Sequence, residues 1–267
     1  MPLRIERVYR ADDQRAKDYR DLVARRRAAD VFVAESGLVV RRLLRAPRFR
    51  TRSLLLTEPA LVALNDAIVA SPDDPTVLLA TAETISAVVA FRFHRGCLAL
   101  GSMRRPLDAG AFGIPSTRLL LALERVSNPD NLGSLFRNAA AFGVDGVLLS
   151  PGCGDPLHRK VVRVSMGAVF DVPFARVHDW PAVLERLRAT GAAVVALTPD
   201  ATARDLATLP ATDRTVLLLG SEGHGLTTAA LATADVAVRI AMAPGVDSLN
   251  VNSAAAIALH RLTTRPA

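Results

Sequence analysis

The sequence predicts an α/β protein in two parts, a small amino-terminal α/β domain and a larger, doubly wound parallel sheet behind it. Two observations carry this. Short β-rich runs alternate with helical patterns along nearly the whole chain, as strands joined through helices do. In the back half those runs are apolar on both faces, which a parallel sheet covered by helices on each side requires. With 267 residues, half of them hydrophobic, there is material for two modest cores.

Taken in order, residues 4–27 alternate charged and small residues with little apolar stripe and are expected to form a polar leading helix. "DVFVA" then reads as a strand and "SGLVVRRLL" as a helix, followed by strand "RSLLLT" and helix "EPALVALNDAIVA". "TVLLAT", a helical piece near "ETISAVVAF" and strand "CLALG" close a first domain over residues 1–105. The Gly- and Pro-rich stretch "RRPLDAGAFGIPS" reads as a linker, taken as 106–116. Residues 117–267 hold the stronger alternation. Its strands are "RLLLALERV", "GVLLS", "VPFARV", "AAVVALT", "RTVLLLG" and "VAVRI". Helices are expected near 129–142, 156–168, 181–190 and 224–233, with a last one near 250–262.

Charge divides the same way. Residues 1–110 carry 19 Arg/Lys against 13 Asp/Glu, and residues 111–267 carry 14 against 13. The excess sits in "VARRRAAD" and "VVRRLLRAPRFRTR", so the front half reads as a polyanion-binding module, although a solvated helix face would look the same. No apolar run reaches the ~18 residues of a membrane span, and "MPLRIERVYR" is too charged for a secretory leader. Cys97 and Cys153 form no disulfide framework, and the five scattered histidines have no ligand spacing. A cytoplasmic protein without metal or membrane is expected.

Ligands of such sheets sit at the carboxyl ends of strands, and three loops there are chemically unusual. In "SNPDNLGSLFRNAAAFG" Asn128 can cap a helix and Pro129 suits its first turn. Leu132, Leu135, Phe136, Ala139, Phe142 and Gly143 make one stripe at about 100° per residue. Arg137 stands opposite among small residues, either a cation in solvent or one that a partner can approach closely. In "LLLGSEGHGL" the glycines permit close backbone approach, while Glu222 would repel phosphate and no P-loop lysine follows. A neutral or cationic ligand fits better, and a plain strand-to-helix connection remains the alternative. In "RIAMAPGVDSLNVNSAAAIAL" Ser248 can cap a thin, alanine-rich helix, and Asn250 and Asn252 are amides in search of partners.

Together these loops resemble the motifs of the SpoU/TrmH family of RNA 2′-O-ribose methyltransferases, within the SPOUT superfamily. The first motif reads "NLGSLFR" (Asn131 to Arg137), the second "GSEG" (220–223) and the third "SLNV" (248–251). The likeness covers roughly residues 118–262. More loosely, the front half resembles the substrate-binding domain of rRNA-directed members, a fold like kink-turn-binding ribosomal proteins, through "DVFVAESGLVVRRLL" and "FHRGCLA". This chain departs from the family in having Ser36 where members often carry glycine, and Asn252 where the third motif commonly runs on to serine.

The resemblance implies a deep carboxyl-terminal trefoil knot in the doubly wound sheet, with the second and third loops forming an S-adenosylmethionine pocket. By motif position, Leu219, Gly220, Gly223, Ile240, Met242, Ser248 and Leu249 would bind the cofactor. Arg137 would activate the ribose hydroxyl, Asn131 and Asn250 would orient arginine and ribose, and Glu222 would steady the loop or Arg137 itself. A homodimer through the last helix is implied. Arg25, Arg26, Arg41, Arg42, His94 and Arg95 are the expected contacts to RNA, with rRNA favoured over tRNA by the separate amino-terminal domain. A non-catalytic RNA- or ribosome-binding protein is the alternative from another class. A Rossmann-type site is disfavoured because "GCG" (152–154) lacks the third glycine.

Overall fold

The apolar runs pair into two sheets in the computed structural model, which describes residues 3–20, 31–90, 93–113 and 116–264. The chain divides into two compact units, one of residues 1–105 and 157–171, the other of 106–156 and 172–267.

The first unit contains β1 (Ile5–Arg7), α1 (Lys17–Arg20), β2 (Val31–Glu35), α2 (Gly37–Arg45), β3 (Phe49–Leu56), α3 (Glu58–Val69), β4 (Thr76–Leu79), α4 (Ala82–Val89) and β5 (Cys97–Met103). The sheet order is β1-β4-β3-β5-β2, with β4 parallel to β1 and β3, and β5 antiparallel to β3 and β2. The polar leading helix expected over 4–27 is corrected for residues 4–13; residues 14–20 are helical, and 21–27 lie outside the described residues. Residues 5–7 form an edge strand on β4, Val8 is buried, and Ala16 and Tyr19 are wholly enclosed. A three-residue strand is too short to show a period, and its pairing is supplied by a strand some 70 positions away.

The second unit contains β6 (Leu119–Leu123), α5 (Pro129–Ala141) and β7 (Gly146–Leu149). After the two short helices α6 (Arg159–Val164) and α7 (Ala168–Asp171), it resumes with β8 (Phe174–Arg176), α8 (Ala182–Ala189), β9 (Ala193–Leu197) and β10 (Arg204–Asp205). It ends with β11 (Thr215–Leu219), α9 (Thr228–Ala232), β12 (Val236–Arg239) and α10 (Val251–Thr263). Its seven-stranded sheet runs β10-β12-β9-β11-β6-β7-β8, parallel throughout. Every residue of β6, β7 and β11 is buried, as the two-sided apolar runs require.

One face packs Leu120, Leu148, Val194 and Leu218 against Val183, Leu184 and Leu187 of α8 and Ala230 of α9. On the other face Phe136 of α5 meets Phe174 edge-on, ring centroids 5.6 Å apart. Leu132, Leu135, Phe136 and Ala139 are wholly buried, while Gly143, placed on the same stripe by periodicity, is exposed beyond the end of α5. Each fully buried Leu or Phe contributes about 1.5–3 kcal/mol, so this stripe holds the helix to the sheet.

Residues 156–168, expected as one helix of the sheet domain, are instead α6 and α7 of the first unit. Phe170 packs against Phe32 and Phe49, with centroids 5.3 and 5.1 Å away. Arg159 donates to the buried Glu35 carboxylate at 3.0 and 2.7 Å. The linker is also less open than its composition suggests, since Phe112 is buried in the core of the second unit. Both cysteines are free and buried, and desolvation raises both thiols, Cys97 to about 11. Among the described residues no helix is long and apolar enough to cross a membrane, and no group of three His, Cys, Asp or Glu could hold a metal ion.

Candidate functional site

The site lies in the second unit, at the carboxyl ends of β9, β11 and β12. β11 delivers Leu219 into the glycine-rich turn, which closes on itself through Gly225 N–H donating to the Ser221 carbonyl at 2.9 Å. Gly220 is obligatory there, because a Cβ would overlap the Gly225 carbonyl group. Gly223 and Gly225 adopt φ of 81° and 63°, which side chains resist. Both ends of the turn are tied to one buried acid. Glu124, one residue past β6, donates its backbone N–H to the Leu219 carbonyl at 2.8 Å. Its carboxylate accepts from Thr227 N–H and hydroxyl, each at 2.8 Å, and from Trp180 Nε1 at 2.9 Å.

A cleft of about 420 Å³ opens between this turn, the end of β9 and the segment leading into α10, a volume in the range of small-ligand sites. Leu219, Gly220, Gly223, Ile240, Met242, Ser248 and Leu249 all line it, together with Glu222 and Asn250. Periodicity and motif position did not single out Leu197, Thr198 and Pro199, which also line it. The signal was available, since "ALTPD" (196–200) spans the carboxyl end of β9 and strand ends are where ligands bind. Apolar side chains form most of the wall, and among the described residues Glu222 is its only charged group and no cation faces in. The chemistry suits an uncharged or cationic small molecule with a flat apolar part and disfavours a phosphate.

Behind the cleft an amide network joins α5, the glycine-rich turn and α10. Asn131, only 6% exposed, donates through Nδ2 to Glu222 Oε1 in a short hydrogen bond. Its Oδ1 accepts from Nδ2 of Asn250 at 3.3 Å and of Asn252 at 2.6 Å. Asn250 Nδ2 also donates to Glu222 Oε1 at 3.0 Å. Asn138, two turns along α5, donates to the Asn252 carbonyl at 3.0 Å. Glu222 is thus held by amides and not by Arg137. Asn250, not Ser248, caps α10, its Oδ1 accepting from Asn252 N–H at 2.9 Å. The asparagine at 252 is therefore part of this network through its Nδ2, while its own Oδ1 is buried without a partner among the described residues. Asn128 caps α5 as its position suggested, accepting from Asp130 N–H at 2.8 Å.

Arg137 is exposed and does not line the cleft. Asn131 and Asn138 share the face of α5 that meets α10, and Arg137 lies about 100° round the helix from it. Among the described residues it has no ion pair. The expected RNA contacts fare differently from one another. His94 is exposed, and Arg95 faces Glu35 at 3.4 Å. Arg41 is held by Asp66 at 2.5 Å and Arg42 by Asp171 at 3.3 Å. Arg25 and Arg26 lie outside the described residues.

Comparison with known proteins bears on this geometry directly. Residues 118–260 match the model of the SpoU rRNA Methylase family. A Mycobacterium tuberculosis protein named "uncharacterized tRNA/rRNA methyltransferase" is 41% identical across 98% of this chain and 92% of its own. A 23S rRNA (guanosine(2553)-2′-O)-methyltransferase of Bacillus subtilis is 32% identical across 56% of this chain and 59% of its own. Among solved structures, the AdoMet-bound rRNA methyltransferase from Sinorhizobium meliloti superposes with a TM-score of 0.83 at 28% identity, covering 97% of each chain. With the family match spanning all three loops and the α/β fold shared from end to end, this chain belongs to the SpoU rRNA Methylase family.

Proposed function

We propose that this protein transfers a methyl group from S-adenosylmethionine to a ribose 2′-oxygen of RNA, with cytoplasmic ribosomal RNA as the substrate. The observation that carries the proposal is the convergence of the second and third loops on one cleft, backed by Asn131 of the first. The cleft's composition fits the cofactor. Leu197, Leu219, Ile240, Met242 and Leu249 offer an apolar slot for adenine, the turn offers backbone groups for close approach, and a lone carboxylate tolerates a cation. When bound, the cofactor supplies an electrophilic methyl on a sulfonium. The named relatives support the choice of RNA, two of them by an rRNA substrate in their names.

The residues of the chain then have distinct tasks. A ribose hydroxyl is a poor nucleophile, so the site must stabilise developing negative charge on its oxygen and hold it in line. Arg137 does this as a permanent cation brought to the 2′-oxygen, its fork also able to grip the adjacent phosphate in two places. It is not a base, because a guanidinium keeps its proton. Small neighbours on α5 let the RNA backbone reach it. Asn131 and Asn250 lock Glu222 and with it the turn, and Asn252 holds Asn131, so that cofactor wall and α5 keep one geometry.

The family's carboxyl-terminal trefoil knot is proposed for residues 117–267, as the arrangement that tucks the loop before α10 against the glycine-rich turn. A homodimer is proposed through α10, which leaves Ile257 43% exposed and is preceded along the chain by exposed Leu249 and Val246. Residues 1–105 are proposed as the RNA substrate-binding domain.

The test is methyl transfer from labelled cofactor to rRNA isolated from a strain lacking the gene. Arg137→Ala should lower transfer by about 10²–10³-fold, the scale of losing an electrostatic stabiliser, with cofactor affinity by calorimetry unchanged. Arg137→Lys should fail similarly, since a point charge lacks the fork. A fully active Arg137→Ala protein removes the assignment, and a wild-type protein that binds RNA but no cofactor is a binding protein and not an enzyme.

A further inference from the structure

Most described arginines of the first unit are spoken for. Arg15 holds Asp13, Arg41 holds Asp66, Arg104 holds Asp73 and Arg159 holds Glu35. A few are not, and three of these gather where β3 begins and β5 ends. Arg50 is exposed opposite Ser102 of β5. Arg52, also exposed, sits at a bulge between Thr51 and Ser53 and touches only the neutral Ser102 hydroxyl, at 3.2 Å. Arg105 is exposed just past Arg104, whose backbone N–H donates to the Arg48 carbonyl at 3.0 Å. None of the three has a carboxylate partner among the described residues. The nearby acid that could have neutralised them, Asp73, is buried and already shared between Arg104 and the Thr51 N–H.

We propose that Arg50, Arg52 and Arg105 form a strip that grips the phosphate backbone of RNA, separate from the Glu35–Arg95 end of the same sheet. Three features of the strip argue for this. Arg50 and Arg52 leave the strand about 6–7 Å apart, a separation that neighbouring phosphates can span. A bulge re-aims a side chain, and this one, in the central strand of the sheet, occurs at a cation. Uncompensated guanidiniums at one end of a sheet favour a polyanion whose phosphates can accept two hydrogen bonds from each planar fork. The strip also lies about 20 Å along β3 from the Arg95 end, so the two would meet different stretches of one RNA. Arg41 and Arg42, prominent in the sequence, contribute less because their charges are met internally.

The inference rests on the reading of this chain as an RNA methyltransferase, and the experiment separates the two. Binding of full-length protein to rRNA from a strain lacking the gene is measured across a salt series, alongside cofactor affinity and methyl transfer. For the Arg50→Gln/Arg52→Gln/Arg105→Gln protein, RNA affinity should fall about 10- to 100-fold at low salt. The log–log salt slope should become shallower by about two, since each phosphate that is no longer neutralised removes ~0.7–0.9 from it. Cofactor affinity should not move. The triple lysine variant, keeping the charge, should retain most of the slope even if the glutamine variant folds poorly. A wild-type slope in the triple glutamine variant, with normal RNA affinity, overturns the strip and leaves the enzyme reading intact. A wild-type protein that neither binds nor methylates rRNA overturns both.

Discussion

At the scale of single residues, Ser36 holds a backbone conformation that its side chain resists. It adopts φ 88° and ψ 149°, a region essentially reserved for glycine, and its side chain caps nothing. Strain there is of order 1–3 kcal/mol, partly offset because glycine loses more entropy on folding. Ser36→Gly should therefore stabilise the protein by about 1 kcal/mol, raising the melting temperature by about 2–4 °C. A calorimetric scan without that rise would mean the surroundings have relaxed around the serine. Asn252 is the opposite case. Its Nδ2 reaches Asn131 Oδ1 at 2.6 Å, which ties the side chain into a network, while its Oδ1 is buried without a partner among the described residues. Both residues stand in plain view in the sequence, but only φ and hydrogen-bond partners distinguish a strained residue from a bonded one.

At the scale of elements, the glycine-rich turn depends on what clamps it. Gly220→Ala would drive a methyl group into the backbone at Gly225, where no rotamer can yield. The expected result is a native sheet by circular dichroism with cofactor affinity reduced at least ~10-fold, and unchanged calorimetry would contradict the closed turn. Glu124 acts from outside the cleft, holding Leu219 and Thr227 at the two ends. Glu124→Gln keeps the shape but points an amide donor at groups that are themselves donors. Leaving one buried donor unmet costs about 1–3 kcal/mol, which should appear as cofactor affinity weakened by about tenfold or more. Thr227→Ser, which preserves both bonds to Glu124, should bind normally. Equal losses in the two variants would point to general destabilisation instead of a clamp.

For the whole molecule, the proposed dimer makes the sharpest prediction. Ile257→Arg places a charge on the exposed side of α10, away from buried Ala255, Ala258 and Leu259, so the fold should survive. Light scattering should then report monomers and methyl transfer should collapse. A variant that remains dimeric and active locates the interface elsewhere. The division of the chain is also a whole-molecule property. Residues 157–171 sit between β7 and β8 in sequence yet belong to the first unit, held by Phe170 and Arg159. Their apolar periodicity says that they are helical, and nothing in it says which core they join.

By itself the amino-acid sequence determined the alternation of strands and helices, the parallel character of the second sheet, the buried stripe of α5 and the three loops that matter. These follow from local patterning, because apolar periodicity dictates which side of an element must leave water. The tertiary structure alone decided that residues 5–7 are a strand, that Asn250 caps α10, that Glu222 answers to the amides of Asn131 and Asn250, and that, among the described residues, carboxylates meet Arg41 and Arg42 but not Arg50 and Arg52. Each of those depends on partners far apart along the chain, and a hydrogen bond or ion pair exists only where folding brings both of its ends together.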